Sequence, residues 1–419
     1  MGIEAGVARV DITPPVGTEL CGYGFYLNRR STDIRDRLYS KALVLSDGVD
    51  RVAIVTNDLI GITKETTKSV RNLTTEDTGI PRDHILLSCT HTHHGPATIP
   101  SLRACGEVDS DYLNILPKYI AGAIGMANSS LRDARIGAGI GNLDDFSMNR
   151  VEKGGLIDPG VGVIRVDDVQ DKPIALLANF SCHPVVNPIN SVVSSDFPGS
   201  ATSIIETVKK GVTGMFLQGA CGDINPVLTW SGKVEKAGVS LAAETLKVAE
   251  QINTTEEITI GSKVANIELP LNAMNTEEVR KILSEHKSKT DSDDKKERQL
   301  SRAYCEWAQS LLRKLKDNPK LRLETEIQAV RIGDIILGAN PSETFVEFCL
   351  EVKEKSPCKK TFLVGCANDF VGYIPDREDF ERKGYAADLV PVLTDNFPFT
   401  PNIGEFLVGK LSDLIQRLY

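Results

Sequence analysis

The amino-acid sequence predicts a mixed α/β fold. Apolar, β-leaning runs alternate with segments whose apolar residues recur at helical spacing, the pattern of layered α/β architectures. Two adjacent runs are separated only by a turn, which argues against a purely parallel sheet. At 419 residues the chain is long enough to bury a large core.

Taken in order, residues 41–48 (KALVLSDG) and 50–58 (DRVAIVTND) read as a hairpin turning near Asp47-Gly48. Residues 84–91 (HILLSCTH) read as a strand, and residues 111–131 have helical spacing. Further strands are expected at 160–168 (GVGVIRVDD), 173–183 (PIALLANFSCH) and 213–223 (TGMFLQGACGD), with a helix at 232–252. From about Asn275 to Asn318 the composition turns to Lys, Glu, Asp, Ser and Gln. That stretch predicts a solvated hairpin of two amphipathic helices inserted in the main domain. Leu300, Tyr304, Trp307, Leu311 and Leu315 fall on one face of its second helix. Strands return at 327–343 (IQAVRIGDIILGANPSE) and 360–369 (KTFLVGCAND).

Composition narrows the function classes. A hydrophobic content of 41% with 25% charged residues is that of an ordinary globular protein. The net charge of -9 argues against nucleic acid or an anionic membrane as the main partner. No apolar run approaches the roughly 18 residues that span a bilayer, so no stable membrane insertion is expected. The opening residues show neither the basic nor the apolar region of a signal peptide, and position 6 lacks the Ser or Thr of a myristoylation site. The nine cysteines are scattered with no CxxC pair, which predicts reduced thiols and a cytoplasmic protein.

Residues 85–97 (ILLSCTHTHHGPA) concentrate three of the six histidines at the end of an apolar run. Residues two apart on a strand share a face, so His91 and His93 are placed to converge on one ion, with His94 beside them. Catalytic zinc commonly takes three protein ligands and keeps one position open. The run ANFSCH ends in His183, a candidate for a third nitrogen ligand. Beyond it lie Asp196 in a polar turn leading to a helix, and Asp223 and Asn225 in the Gly-rich loop GACGDINP. Several strands ending in polar, glycine-bearing loops are what an α/β active-site rim needs.

These residues carry a resemblance. LLSCTHTHHGP, FSCHPVV followed by VVSSDFPG, and GACGDINP occur in the order of the motifs of the neutral (non-lysosomal) ceramidase family's catalytic domain. AGVARVDITPPVGTELCGYG, with Gly22, resembles the family's opening segment, and SMNR resembles its Asn-Arg motif. NPSETFVEF and GYIPDREDFERKGYA are similar to its C-terminal elements. The resemblance spans about Val7 to Ala387 and implies one large mixed-sheet α/β metallohydrolase domain over residues 1–419, with the hairpin at 275–318. It implies a single zinc ion held by His91, His183, Glu343 and Tyr373, with Tyr385 the competitor for the tyrosine. It places His93 at the reacting centre and Arg150 at the substrate, with Gly22, His94, Asp196, Asp223 and Tyr385 on the substrate side. Two alternatives stay open: Glu343 as a carboxylate favoured by a helix N-terminus, and Tyr373 as a ring packed beside Pro375.

The sequence also departs from the family. The family's Ser after Gly-Asp is Asn225 here, and an amide donates hydrogen bonds but is no nucleophile. His94 stands where Ser usually follows His-Thr-His, and the family's C-terminal immunoglobulin-like domain has no counterpart in these 419 residues. The expected function is therefore zinc-dependent cleavage of an amide (N-acyl) bond by metal-activated water, on a soluble or small acyl-amide substrate. An esterase or deacetylase acting on a sugar derivative, and a non-catalytic metal-binding member, are the alternatives. A phosphoesterase is disfavoured because no second Asp and His cluster suggests a two-metal site.

Overall fold

The computed structural model describes residues 2–317 and 322–419. Strands and helices form four layers, and the alternation of apolar side chains along the strands shows why. In the strand Tyr39–Ser46, Leu43 and Leu45 face one core while Ala42 and Val44 face another. In Pro173–Phe180, Ala175 and Leu177 point to the first core and Leu176, Ala178 and Phe180 to the opposite side. A strand buried on both faces must sit between two layers.

The large sheet has eight strands in the spatial order Thr213–Gln218, Pro173–Phe180, Gly160–Asp168, Arg132–Asn142, Glu4–Asp11, Tyr39–Ser46, Arg51–Asn57 and Ile85–Cys89. The two outermost pairings are parallel and the interior ones antiparallel, including the expected hairpin through Asp47-Gly48. A second sheet of four strands, Ile260–Leu269, Leu323–Ile332, Ile335–Ala339 and Lys360–Val364, packs face to face on the first. Val330, Leu337, Phe362 and Val364 meet Leu43, Ile54, Ile164 and Leu177 in the shared core. The helices Lys64–Thr78 and Ser110–Ser129 cover one half of the large sheet's outer face, and Asp196–Val208 and Val234–Ala249 the other. The helices Val346–Lys355 and Ile403–Leu418 cover the second sheet.

The charged segment forms two helices, Thr276–Lys287 and Lys295–Asp317; Asn318, the expected end of the hairpin, lies outside the described residues. Asn275 caps the first helix in a capping box with Glu278. The pair is not solvated all round. Trp307 and Leu311 are buried against Val392 and Phe397, with Phe25 and Tyr26 packed beside them, because the stripe that includes Tyr304 and Leu315 has an apolar partner to cover. Trp307 Nε1 donates to the Asn396 carbonyl at 2.8 Å. Among the described residues no helix is long and apolar enough to cross a membrane.

Parallel strands from both sheets send their carboxyl ends into one set of loops, where α/β folds collect ligands. These are the ends at Cys89, Phe180, Gln218, Ala339 and Val364. Backbone bonds stitch the loops together: Gly219 N to Phe180 O, Gly365 N to Gln218 O, Cys89 N to Cys366 O and Gly222 N to Thr344 O, all 2.9–3.2 Å. The buried Gln218 amide clamps three of them, donating to Thr90 O and Cys182 O and accepting from Cys182 N and Gly219 N.

Candidate metal centre

Each of these loops delivers one polar side chain to a common point. The strand carrying the first histidine ends at Cys89, so His91 and His93 do not alternate on a strand as expected. His91 sits in the loop at φ +67 with its N–H on Leu59 O, a left-handed conformation uncommon for a side-chain-bearing residue. The loop nevertheless brings His91 Nε2 and His93 Nε2 within 3.3 Å. His183 lies three residues past its strand, its N–H bonded to Ile224 O.

Second contacts fix which nitrogen each ring offers. His91 Nδ1 lies 2.7 Å from Ile60 O and His183 Nδ1 2.5 Å from Cys221 O. A carbonyl only accepts, so each Nδ1 carries a proton and each ring turns its Nε2 inward, as a lone pair whenever that ring is neutral. Both Nε2 atoms face Glu343 Oε2, at 3.1 Å from His91 and 2.9 Å from His183. Atoms turned on one point in this way need a positive charge between them. Burial would lower the His91 imidazole, but Glu343 overturns this and raises it to about 9, which favours a proton on that Nε2. The other answer is a metal ion, for which two imidazole nitrogens and a carboxylate oxygen are a fitting donor set. The ligand atoms of His91, His183, Glu343 and the thiol of Cys221 all lie within 4.8 Å of one another, and all four residues are buried.

Glu343 and Tyr373 reach the site through a two-residue parallel pairing of Glu343–Thr344 with Tyr373–Ile374, in which they are direct partners. The Tyr373 hydroxyl is 3.2 Å from His183 Nε2 and accepts from Arg150 Nη2 at 2.8 Å. Burial holds this phenol protonated, well above its usual range. Tyr385 stands edge-on to Tyr373, about half exposed at the cavity rim. Burial alone would raise the Glu343 carboxyl, but His91 and His183 overturn this and hold it well below the ordinary carboxylate range. Burial, reinforced by His91 and His183, pushes the basicity of His93 well down, so this ring stays neutral.

The cavity above these residues measures about 180 Å³. His91, His93, Glu343, Tyr373, Arg150, Asn225, Gly22 and Tyr385 all line it. Arg150 and Asn225 arrive on a small ribbon, Ser147–Asn149 paired with Ile224–Pro226. Arg150 rests Nε and Nη2 on Gly222 O, and its N–H bonds Asp223 O. The Asn225 side-chain oxygen is buried without a hydrogen-bond partner among the described residues. Gly22 at φ +129 lets the backbone pass His93, where an added Cβ would come 2.6 Å from the ring.

Three expected substrate-side residues are placed behind the wall instead. Asp196 is fully buried and accepts from the N–H groups of Val186, Asn187 and Phe197, which shapes the loop after His183. Asp223 accepts from Val346 N and Asn149 Nδ2, tying the Arg150 ribbon to the Glu343 loop. His94 is buried between Val192 O and the Tyr23 hydroxyl. Each is a polar group that anchors backbone, the commonest fate of short polar residues in tight loops. Conversely, Tyr23, Trp230, Phe370, Leu102 and Leu393 line the cavity and Cys221 joins the ligand cluster, and none was singled out as a site residue from the sequence. Only the Gly-Ala-Cys-Gly-Asp loop carried a signal, for Cys221.

Residues 3–263 match the family described as neutral/alkaline non-lysosomal ceramidase, N-terminal. Neutral ceramidase A of Dictyostelium discoideum is 28% identical over an alignment of 256 residues that covers 53% of this chain and 36% of that protein. The match thus spans about a third of that relative's length. The crystal structure of neutral ceramidase from Pseudomonas aeruginosa superposes on the whole chain with a TM-score of 0.79 at 19% identity, covering 75% of that chain. A ceramidase complexed with C2 does so with a TM-score of 0.76, at 19% identity and 76% coverage. At such identities the two structures speak for the fold. With more than half of its residues inside the family match, the chain belongs to the neutral/alkaline non-lysosomal ceramidase family, whose members are metal-dependent amide hydrolases.

Proposed function

We propose that the protein is a hydrolase of acyl amides that works with one zinc ion held by His91, His183, Glu343 and Tyr373, with residues 1–419 acting as one catalytic unit. The observation that carries this reading is the pair of imidazoles whose tautomers are set by Ile60 O and Cys221 O, both aimed at Glu343. The ion would supply the positive charge that acidifies a water and polarises the scissile carbonyl. His93, neutral and beside this centre, would donate to the oxygen that gains charge in the transition state, and Arg150, with Nε and Nη2 already engaged, would hold the substrate. Asn225 orients the substrate through its amide, and no side-chain nucleophile is needed. The nine unpaired cysteines support a reducing, cytoplasmic setting as part of the same reading.

Elemental analysis of the purified protein, followed by turnover of a panel of acyl anilides, nitrophenyl esters and nitrophenyl phosphates, tests it. One zinc per chain with amide cleavage and no burst of leaving group is expected. Cleavage of phosphates alone, or an acyl adduct trapped on the chain, contradicts it.

A further inference from the structure

We infer that the substrate is a compact acyl amide whose amine part carries a carboxylate, seated on Arg150; this rests on the hydrolase reading above. Size comes first. A cavity of about 180 Å³ lies below the roughly 300–1,000 Å³ of sites for drug-sized ligands. Its inner wall is Ile60, Leu102, Leu393 and Phe370, apolar residues that pack against one another rather than against solvent. Val392, next to Leu393 in the helix Val390–Thr394, is backed in turn by Trp307 and Leu311 of the helix pair. A wall supported from behind does not open cheaply, so the inner end of the cavity fits a short acyl group better than a long chain.

Charge comes second. Arg150 and Glu343 are the two formally charged side chains among the described lining residues. Glu343 is committed to His91 and His183. The guanidinium of Arg150 is occupied on Nε and Nη2 by Gly222 O and Tyr373 OH, which fixes its plane. Among the described residues no carboxylate pairs with it and Nη1 has no partner. A cation held rigidly at a cavity lining, with an open donor edge and no counter-ion, is the arrangement that recognises a carboxylate. A bound divalent cation adds positive charge to the same space and favours an anion further.

The test compares matched substrates on the zinc-loaded protein: N-acetyl-4-aminobenzoate, its neutral methyl ester, and N-dodecanoyl-4-aminobenzoate. The carboxylate substrate is expected to exceed the neutral one by about ten- to a hundredfold in kcat/KM, the span of one charge-assisted hydrogen bond, and to exceed the dodecanoyl compound as well. Arg150→Gln should erase the preference for charge, and Arg150→Lys should restore part of it. Binding is read separately, by calorimetric titration of 4-aminobenzoate into metal-stripped protein, where only the side chains can hold it. Equal or better turnover of the neutral or long-chain amide overturns this inference while leaving the hydrolase reading intact. If no amide is cleaved, the hydrolase reading fails and the titration alone decides: binding lost in Arg150→Gln supports the carboxylate seat, and binding absent from the wild type removes it.

Discussion

Glu343 and Tyr373 stand directly opposite one another in a two-residue parallel pairing, so one backbone register sets both the carboxylate and the phenol against His183. The pairing is closed at each side by Glu343 N on Gly372 O and Phe345 N on Ile374 O. A carboxylate and a phenol mounted this way move together or not at all.

Tyr373→Phe should therefore keep the fold but weaken zinc binding by about 10- to 100-fold, the scale of losing one supporting contact in a metal site. Tyr385→Phe, at the exposed rim, should leave zinc affinity unchanged. Competition with a chromophoric chelator measures both, and the opposite ranking would exchange the two tyrosines.

His93→Ala should retain zinc and lose kcat by about 10²–10³-fold, since a donor that acts only in the transition state appears in the rate. Its Nε2 approaches His91, but its ring is not part of the four-residue ligand cluster. Zinc lost together with the rate would make His93 a ligand.

Gly22→Ala puts a methyl 2.6 Å from the His93 ring at φ +129. Overpacking plus an unfavourable backbone should cost about 2–4 kcal/mol in urea unfolding. A stability equal to wild type would show that the 22–24 turn gives way freely.

Glu347 gives a pH signature away from the candidate metal centre. Burial, then Asp376, Asp223, Glu405 and Glu351, raise its carboxyl to about 7, against the pull of the helix N-terminus it occupies. A carboxyl raised on folding contributes stability below its unfolded pKa near 4.5 that is lost as pH rises through about 7. Glu347→Gln should then stabilise the protein at pH 8 by about 1 kcal/mol, discounted for partial exposure, and by much less at pH 5. Denaturant titrations at both pH values check the sign; equal effects would remove the charge argument.

The sequence made most strands and the histidines legible because both are local, although Glu4–Asp11, Arg132–Asn142 and Ile260–Leu269 carried no recognised signal. Alternating apolar residues mark a strand, and His91 and His183 fall just past strand ends. Which sheet a strand joins was not local: Leu323–Ile332 and Tyr39–Ser46 both carry apolar side chains on two faces, and only packing assigns them to different layers. Glu343 and Tyr373 came from family resemblance, since their register depends on a pairing across 30 residues of chain. Asp196, Asp223 and His94 look like site residues in the sequence because a loop-anchoring polar side chain and a substrate-binding one have the same spelling. Leu102 and Leu393 look like ordinary core for the complementary reason.

The helix pair Thr276–Lys287 and Lys295–Asp317 touches Phe25 and Tyr26 on one rim segment and Leu389, Val392 and Phe397 on the other. His91, His183 and Glu343 hang instead from loops stitched to the two sheets. Selection can therefore reshape what the protein accepts by altering an appendage, and leave the reaction centre as inherited. A change in this helical pair would accordingly be felt at the rim before it reached the loops that carry the histidines.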